Sequence, residues 1–163
     1  MPHLVIYIMG VAGSGKTTIG QKLSAKTGYT FYDADYFHTQ ENIDKMQAGQ
    51  PLTDDDRWPW LDNIHAFVSK QLQTCTIIVA CSALKEVYRQ RLSKQIENQC
   101  RWVYLNGSYD IIFQRMQSRT DHYMPVTLLQ SQFDALEVPD HNIEIDIAMA
   151  PEKIVDEIIA QIN

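Results

Sequence analysis

Cysteine is scarce in this sequence: Cys75, Cys81 and Cys100 are the only three, and no two are spaced as a Cys-x-x-Cys pair. An odd number of scattered thiols reads as reduced packing residues in a cytoplasmic protein. Long apolar runs are also lacking. The longest, Leu4 to Met9 and Ile77 to Cys81, fall far short of the roughly 20 residues a bilayer span needs, so no membrane partner is expected. The first residues lack a charged stretch followed by a long apolar one, so no signal peptide is expected. Positive charge is in deficit, with 14 Lys and Arg against 20 Asp and Glu and a net charge of −6. A nucleic-acid binder works by neutralising phosphates, and this chain has no basic block for it, so no nucleic-acid partner is expected. Repeats, low-complexity tracts and linkers are absent too. The 163 residues are enough for one core and too few for two ordinary domains, so residues 1–163 are read as a single domain.

What the sequence does contain is alternation. Short apolar runs at Leu4–Met9, Thr30–Tyr32, Thr76–Cys81, Arg101–Leu105 and Asn142–Asp146 have the length and composition of strands covered on both faces. Helical stretches separate them, which predicts an α/β fold: a five-stranded parallel sheet with helices on both faces. The helices are expected from Lys16 to about Lys26, closed by Gly28, and from Gln40 to Ala48, preceded by Thr39 and closed by Gly49. Thr53 before three aspartates resembles an N-cap with acids at the positive end of a helix. Pro59 suits the first position of a new helix reaching about Gln73. Further helices are expected at Lys85–Gln95, Tyr109–Ser118, Thr127–Leu136 and Glu152–Ile162, the last started by Pro151.

Gly10-Val11-Ala12-Gly13-Ser14-Gly15-Lys16-Thr17 matches the phosphate-binding loop G-x-x-x-x-G-K-[ST], after a predicted strand and before a predicted helix. The glycines let bare N–H groups approach phosphate oxygens, and the helix N-terminus adds positive potential there. Lys16 is expected at the β- and γ-phosphates of ATP, the Thr17 hydroxyl on Mg²⁺, and Thr18 beside them in the first helical turn. Switches, motors and transporters share this loop, so it does not by itself name a reaction. The third strand ends in Cys81-Ser82, where many such proteins carry a metal-associated Asp, so Mg²⁺ needs another acid, or Ser82 and water.

Asp33-Ala34-Asp35 follows the second strand, whose C-terminal end faces the ligand crevice of such a sheet. Period-two spacing puts both carboxylates on one side of an extended chain. One could help to hold Mg²⁺ while the other takes a proton from an attacking hydroxyl; the plainer reading is a pair of turn-forming, capping aspartates. His38, Arg57, Lys85 and Arg89 are the further polar candidates. Arg57 beside Asp56 could equally form a surface ion pair, and Lys85 and Arg89, four apart, share one helix face.

The stretches Asp33–His38, Glu41–Met46, Gly49–Leu61, Ala80–Lys85 with Tyr88-Arg89, Tyr104–Gly107, His122–Pro125, and Ser131–Phe133 leading to Leu136-Glu137 are far more restrictive than the loop. With them the chain resembles gluconokinase, within the shikimate-kinase-like P-loop kinases, over nearly its whole length. The resemblance implies phosphorylation of D-gluconate at its terminal hydroxyl by MgATP. It assigns Asp35 to the substrate hydroxyl and Asp33 to the metal side. It also implies a lid, about residues 119–132, that closes over ATP and presents an Arg to the phosphates, with His122 and Gln132 on the substrate side. Arg115 and Arg119, four apart on the preceding helix, could both reach the nucleotide or simply mark an exposed helix end. Arg57, Lys85, Arg89 and His38 are then the expected ligands of the carboxylate and hydroxyls, a cationic clamp being what a sugar acid requires. A homodimer is compatible with the resemblance. Members commonly have Gly between the two acids, where this chain has Ala34, and Lys-Gly before His122, where it has Thr120-Asp121. Another P-loop kinase, for shikimate, a nucleoside monophosphate or a different sugar acid, and a nucleotide-dependent switch are the alternatives.

Overall fold

Five short runs rich in β-branched and aromatic residues form one parallel sheet: β1 (Val5–Met9), β2 (Thr30–Asp33), β3 (Ile77–Ala80), β4 (Cys100–Asn106) and β5 (Ile143–Asp146). The structure, a computed structural model, describes residues 2–118 and 128–163. Strand order is β2-β3-β1-β4-β5, with Val5 of β1 level with Ile77 on one side and Cys100 on the other. Central β1 is buried along its whole length.

Side chains alternate across the pleat, so β1 serves two cores. Ile6 and Ile8 pack with Ile19 and Leu23 of α1 (Lys16–Thr27) and with Ile154 and Ile158 of α7 (Pro151–Ile162). Ile112 and Met116 of α5 (Tyr109–Gln117) and Leu129 of α6 (Leu129–Ala135) complete that layer. Val5, Tyr7 and Met9 face the other way, onto Trp60, Leu61, Ile64 and Val68 of α3 (Asp54–Gln71) and Tyr88 and Leu92 of α4 (Glu86–Ser93). The short α2 (Gln40–Gln47) lies between β2 and α3 in the chain. Its Met46 meets Leu52 and Leu128 in a small satellite cluster. No helix among the described residues is long and apolar enough to cross a membrane.

One expected boundary is overturned. The helix expected to begin at Pro59 starts five residues earlier and runs unbroken through it. Thr53 caps it: its hydroxyl accepts from the Asp56 N–H at 3.1 Å, and Asp56 Oδ2 accepts from the Thr53 N–H at 2.8 Å. Pro59 forfeits the hydrogen bond to the Asp55 carbonyl four residues back. Burial of Trp60, Leu61, Ile64 and Val68 on one face outweighs that loss, so the helix continues.

Candidate active site

Residues 10–17 wrap from the end of β1 into the first turn of α1, at the rim where the strands end. Two glycines are required by space as well as by backbone. Gly10 has φ of 152° and Gly13 of 79°; a Cβ would meet Ser14 Oγ at 2.8 Å in the first case and Met116 Cγ at 2.6 Å in the second. Gly15, with φ of 100°, faces open space. Ser14 is 1% exposed, and its Oγ has no hydrogen-bond partner among the described residues. An open, left-handed turn at a helix N-terminus with an orphaned hydroxyl is a fit for phosphate. Lys16 Nζ folds back on the carbonyl oxygens of Gly10 and Val11, at 3.0 and 2.9 Å. Thr18 is exposed on the first turn of α1.

The two acids, Asp33 at the end of β2 and Asp35 just beyond it, make different contacts. Asp33 Oδ1 accepts from the Asp35 N–H at 2.9 Å, capping a 3-10 turn over Ala34–Phe37. Its Oδ2 accepts from the Thr17 hydroxyl at 3.3 Å. The capping reading of Asp33 is seen in one oxygen, and the other pairs with the loop hydroxyl, oxygen donors of the kind that Mg²⁺ and its waters take. Burial, then the Asp35 carboxylate, push the Asp33 pKa up. Ala34 is fully buried, and it is not among the positive-φ residues, so the backbone there does not require glycine.

Asp35 opens instead into a small cavity of about 50 Å³ with Ala12, Lys16, His38, Arg57 and Ser82. His38 is stacked on Trp60 with ring centroids 4.0 Å apart and 14° between planes. Its Nε2 lies 4.0 Å from Asp35 Oδ1. Burial and the nearby Arg57 push the His38 pKa down to about 4, against the opposing pull of Asp33, so the ring is neutral at pH 7. Cys81, at the end of β3, is inert at that pH, because burial and Asp35 push its thiol up to about 12.

A second cavity of about 370 Å³ adjoins the first, with Met46, Leu52, Arg57 and Gln132 in both walls, and adds Asp54, Lys85 and Ser131. Lys85 Nζ and Tyr88 OH both donate to Asp54 Oδ1, the lysine at 3.3 Å. Arg57 Nη1 donates to the Leu52 carbonyl at 2.6 Å and to Tyr88 OH at 3.3 Å. Its Nε and Nη2 make no hydrogen bond among the described residues. Gln132 is buried; its Oε1 accepts from the Ala12 N–H at 3.0 Å, tying α6 to the phosphate loop.

Arg89 does not join this group and is corrected from ligand to scaffold. It is 3% exposed and lines neither cavity. Nη1 donates to the carbonyls of Ala83 (2.7 Å) and Leu84 (3.2 Å), Nη2 to Glu137 O (2.8 Å) and Glu86 Oε2 (3.0 Å), and Nε to the same Glu86 oxygen (3.2 Å). A guanidinium has five N–H donors, and all five are committed. Arg115 is exposed on α5 with Nη2 on the Ile147 carbonyl at 3.1 Å, away from both cavities. Arg119 and His122 lie outside the described residues, as does residues 119–127 of the expected lid.

The sequence reading passed over Asp54, which lines the larger cavity, and Tyr88 and Asn42, which bond to cavity residues. The first two meet only through a separation of 34 residues, which no local spacing reveals. Asn42, four residues after His38 on a helical start, had a signal in its i,i+4 spacing.

Comparison with known proteins shows the family. The shikimate kinase family model matches residues 12–163. A probable gluconokinase of Xenopus tropicalis is 39% identical, covering 98% of this chain and 94% of that protein. Among solved structures, a sugar kinase of Janibacter sp. HTCC2649 superposes with a TM-score of 0.92 at 39% identity, over 99% of this chain and 95% of that one. A gluconokinase of Sinorhizobium meliloti 1021 superposes with a TM-score of 0.83 at 40% identity, over 98% and 90%.

Proposed function

The chain belongs to the shikimate kinase family, among its gluconokinases, and from that premise we propose that it transfers the γ-phosphoryl group of ATP to the terminal hydroxyl of D-gluconate. One observation carries this reading: the phosphate-loop lysine and an acid, Lys16 and Asp35, share a small cavity that adjoins a chamber walled by Arg57 and Lys85. Phosphoryl transfer asks for little beyond position and charge, and these residues supply both.

The loop N–H groups and the α1 N-terminus cradle the phosphates, and Lys16 exchanges its two carbonyl partners for phosphate oxygens. Thr17 and Asp33 would hold Mg²⁺, which when bound would offset charge on the phosphates. Arg57 takes the gluconate carboxylate with its uncommitted Nε and Nη2 edge, and Lys85 assists as a point charge. The sugar acid then lies along the larger cavity with its far hydroxyl at Asp35, which accepts the proton as the hydroxyl oxygen attacks phosphorus. Arg115 and Arg119 serve the nucleotide, and His122 and Gln132 the substrate side. We assign the work to the cytoplasm, where the three thiols stay reduced.

Purified protein with MgATP should release ADP when D-gluconate is added, and much less with shikimate or AMP. A coupled ADP-release assay over a panel of sugar acids measures this. No turnover with any sugar acid, or equal turnover with AMP, would overturn the reading.

A further inference from the structure

Asn42, in the first turn of α2, is 3% exposed, and its side-chain amide meets two partners. Nδ2 donates to the Asp56 carbonyl oxygen at 3.0 Å and faces His38 Nδ1 at 3.2 Å. A backbone carbonyl only accepts, so the amide atom facing it must be the nitrogen, which settles the orientation of the amide. That nitrogen only donates, so His38 Nδ1 accepts, and the one proton of a neutral imidazole sits on Nε2. The Trp60 stack keeps the ring from turning.

His38 Nε2 and Asp35 Oδ1 are 4.0 Å apart, too far for a bond between them. A single oxygen between them, at an ordinary hydrogen-bond distance of about 2.8 Å from each, fits. We propose that Asn42 is a positioning residue: it locks His38 as the Nε2–H tautomer, so that His38 and Asp35 together hold one substrate hydroxyl, His38 donating to it and Asp35 accepting from it. This rests on the kinase reading above and deepens it.

The pair selects for an alcohol. An ammonium can donate to Asp35 but has no lone pair for Nε2–H, and a carbonyl oxygen can accept but has nothing to give Asp35. A hydroxyl does both and keeps a second lone pair for attack. On transfer the O–H bond breaks and its proton passes to Asp35, the O–P bond forms, and the bond from phosphorus to the ADP oxygen breaks, its electrons staying with ADP. Among the described residues the charged groups around the ring are Asp33 at the end of β2, Asp35 just beyond it, Arg57 on α3 and Lys16 on α1. A neutral His38 adds no charge that would bind Asp35 as an ion pair and occupy the base.

The test begins on the unliganded wild-type protein and does not need activity. Long-range ¹H–¹⁵N correlation spectra of histidine-labelled protein at pH 7 should show His38 with Nε2 protonated and Nδ1 bare. An Nδ1–H ring, or an averaged mixture, would overturn the proposal. Asn42→Ala should then shift His38 towards a mixture and lower kcat roughly 10- to 100-fold, the scale of a slight misplacement of reacting groups, with KM for ATP little changed. An Asn42→Ala protein with the wild-type histidine spectrum and wild-type kcat would equally overturn it. If Asn42→Ala fails to fold, the wild-type spectrum decides. Absence of gluconate turnover, with the expected spectrum, would instead strike the function and leave the tautomer lock standing.

Discussion

Arg57→Ala and Arg89→Ala should fail in different ways. Losing Arg57 removes a charge-assisted contact to the substrate carboxylate, which should raise KM for gluconate by the equivalent of about 1.5–3 kcal/mol, with KM for ATP nearly unchanged. Its urea midpoint should be lowered less than by loss of Arg89, because fewer internal bonds go with it. Losing Arg89 strips partners from the carbonyls of buried Ala83 and Leu84 and from that of Glu137, and unsatisfied buried groups cost about 1–3 kcal/mol each. Its urea midpoint should therefore fall sharply. A stable Arg89→Ala protein with a raised gluconate KM would return that residue to the ligand set. The two acids should separate as clearly. Asp35→Asn should lower kcat by about 10²-fold or more, as for a general base. Asp33→Asn keeps an Oδ1 that can still accept from the Asp35 N–H, so the turn survives; the change should appear as a higher Mg²⁺ requirement in titrations of the rate. Exchanged phenotypes would reverse the assignment. The placement of these residues was legible from the sequence, because the phosphate loop and Asp33-Ala34-Asp35 are local patterns that follow strand ends. The fate of Arg89 was not, because its partners are main-chain carbonyls, one of them 48 residues away, and a sequence shows a cation's presence but not its commitments.

Elements were read well where their signals are local. The Gly28 cap, Thr39 and Thr53 as N-caps, and Pro151 opening α7 all stand in the structure. The start of α3 was misjudged because Pro59 was weighed by its own preference, while continuity depends on four buried side chains beyond it. Gly20 offers a test of the same conflict between local preference and packing. In isolation Gly20→Ala should favour α1 by up to about 1 kcal/mol. A Cβ there would sit 2.3 Å from Phe31 Cε1 of β2, and overpacking costs typically about 1–3 kcal/mol. The net should be destabilisation of about 1 kcal/mol in urea unfolding, with α1 pushed off the sheet edge. A stabilised Gly20→Ala would mean that the Phe31 ring yields freely.

At the scale of the whole molecule, acid should weaken the fold in two stages. His38 titrates at about 4 in the folded chain against an ordinary 6.5. Between those values the unfolded chain binds a proton that the folded one refuses, so stability falls as pH drops through that window, by at most about 3 kcal/mol. Asp56, held down to about 2 by Lys45 and the Thr53 N–H, contributes stability above pH 3.8 that is lost as pH falls towards 2. Asp33, raised in the fold, works in the opposite sense and offsets part of the first stage. Urea midpoints measured from pH 7 to pH 4.5 should decline, and His38→Gln should flatten that decline. An unchanged slope in the variant would assign the loss to other groups.

Because all five strands run the same way, the candidate site gathers at one rim of the sheet, where the strands end, and the strands begin at the other. Cys75 lies there, just before β3, and is only half buried. Cys81 and Cys100 are buried, and their thiols are pushed up to about 12. A thiol-directed dye applied at neutral pH should therefore attach at Cys75 alone, about a strand's length, roughly 20 Å, from the cavities. The native chain carries its own labelling handle, and fluorescence could follow ligand-driven movement without removing a single cysteine.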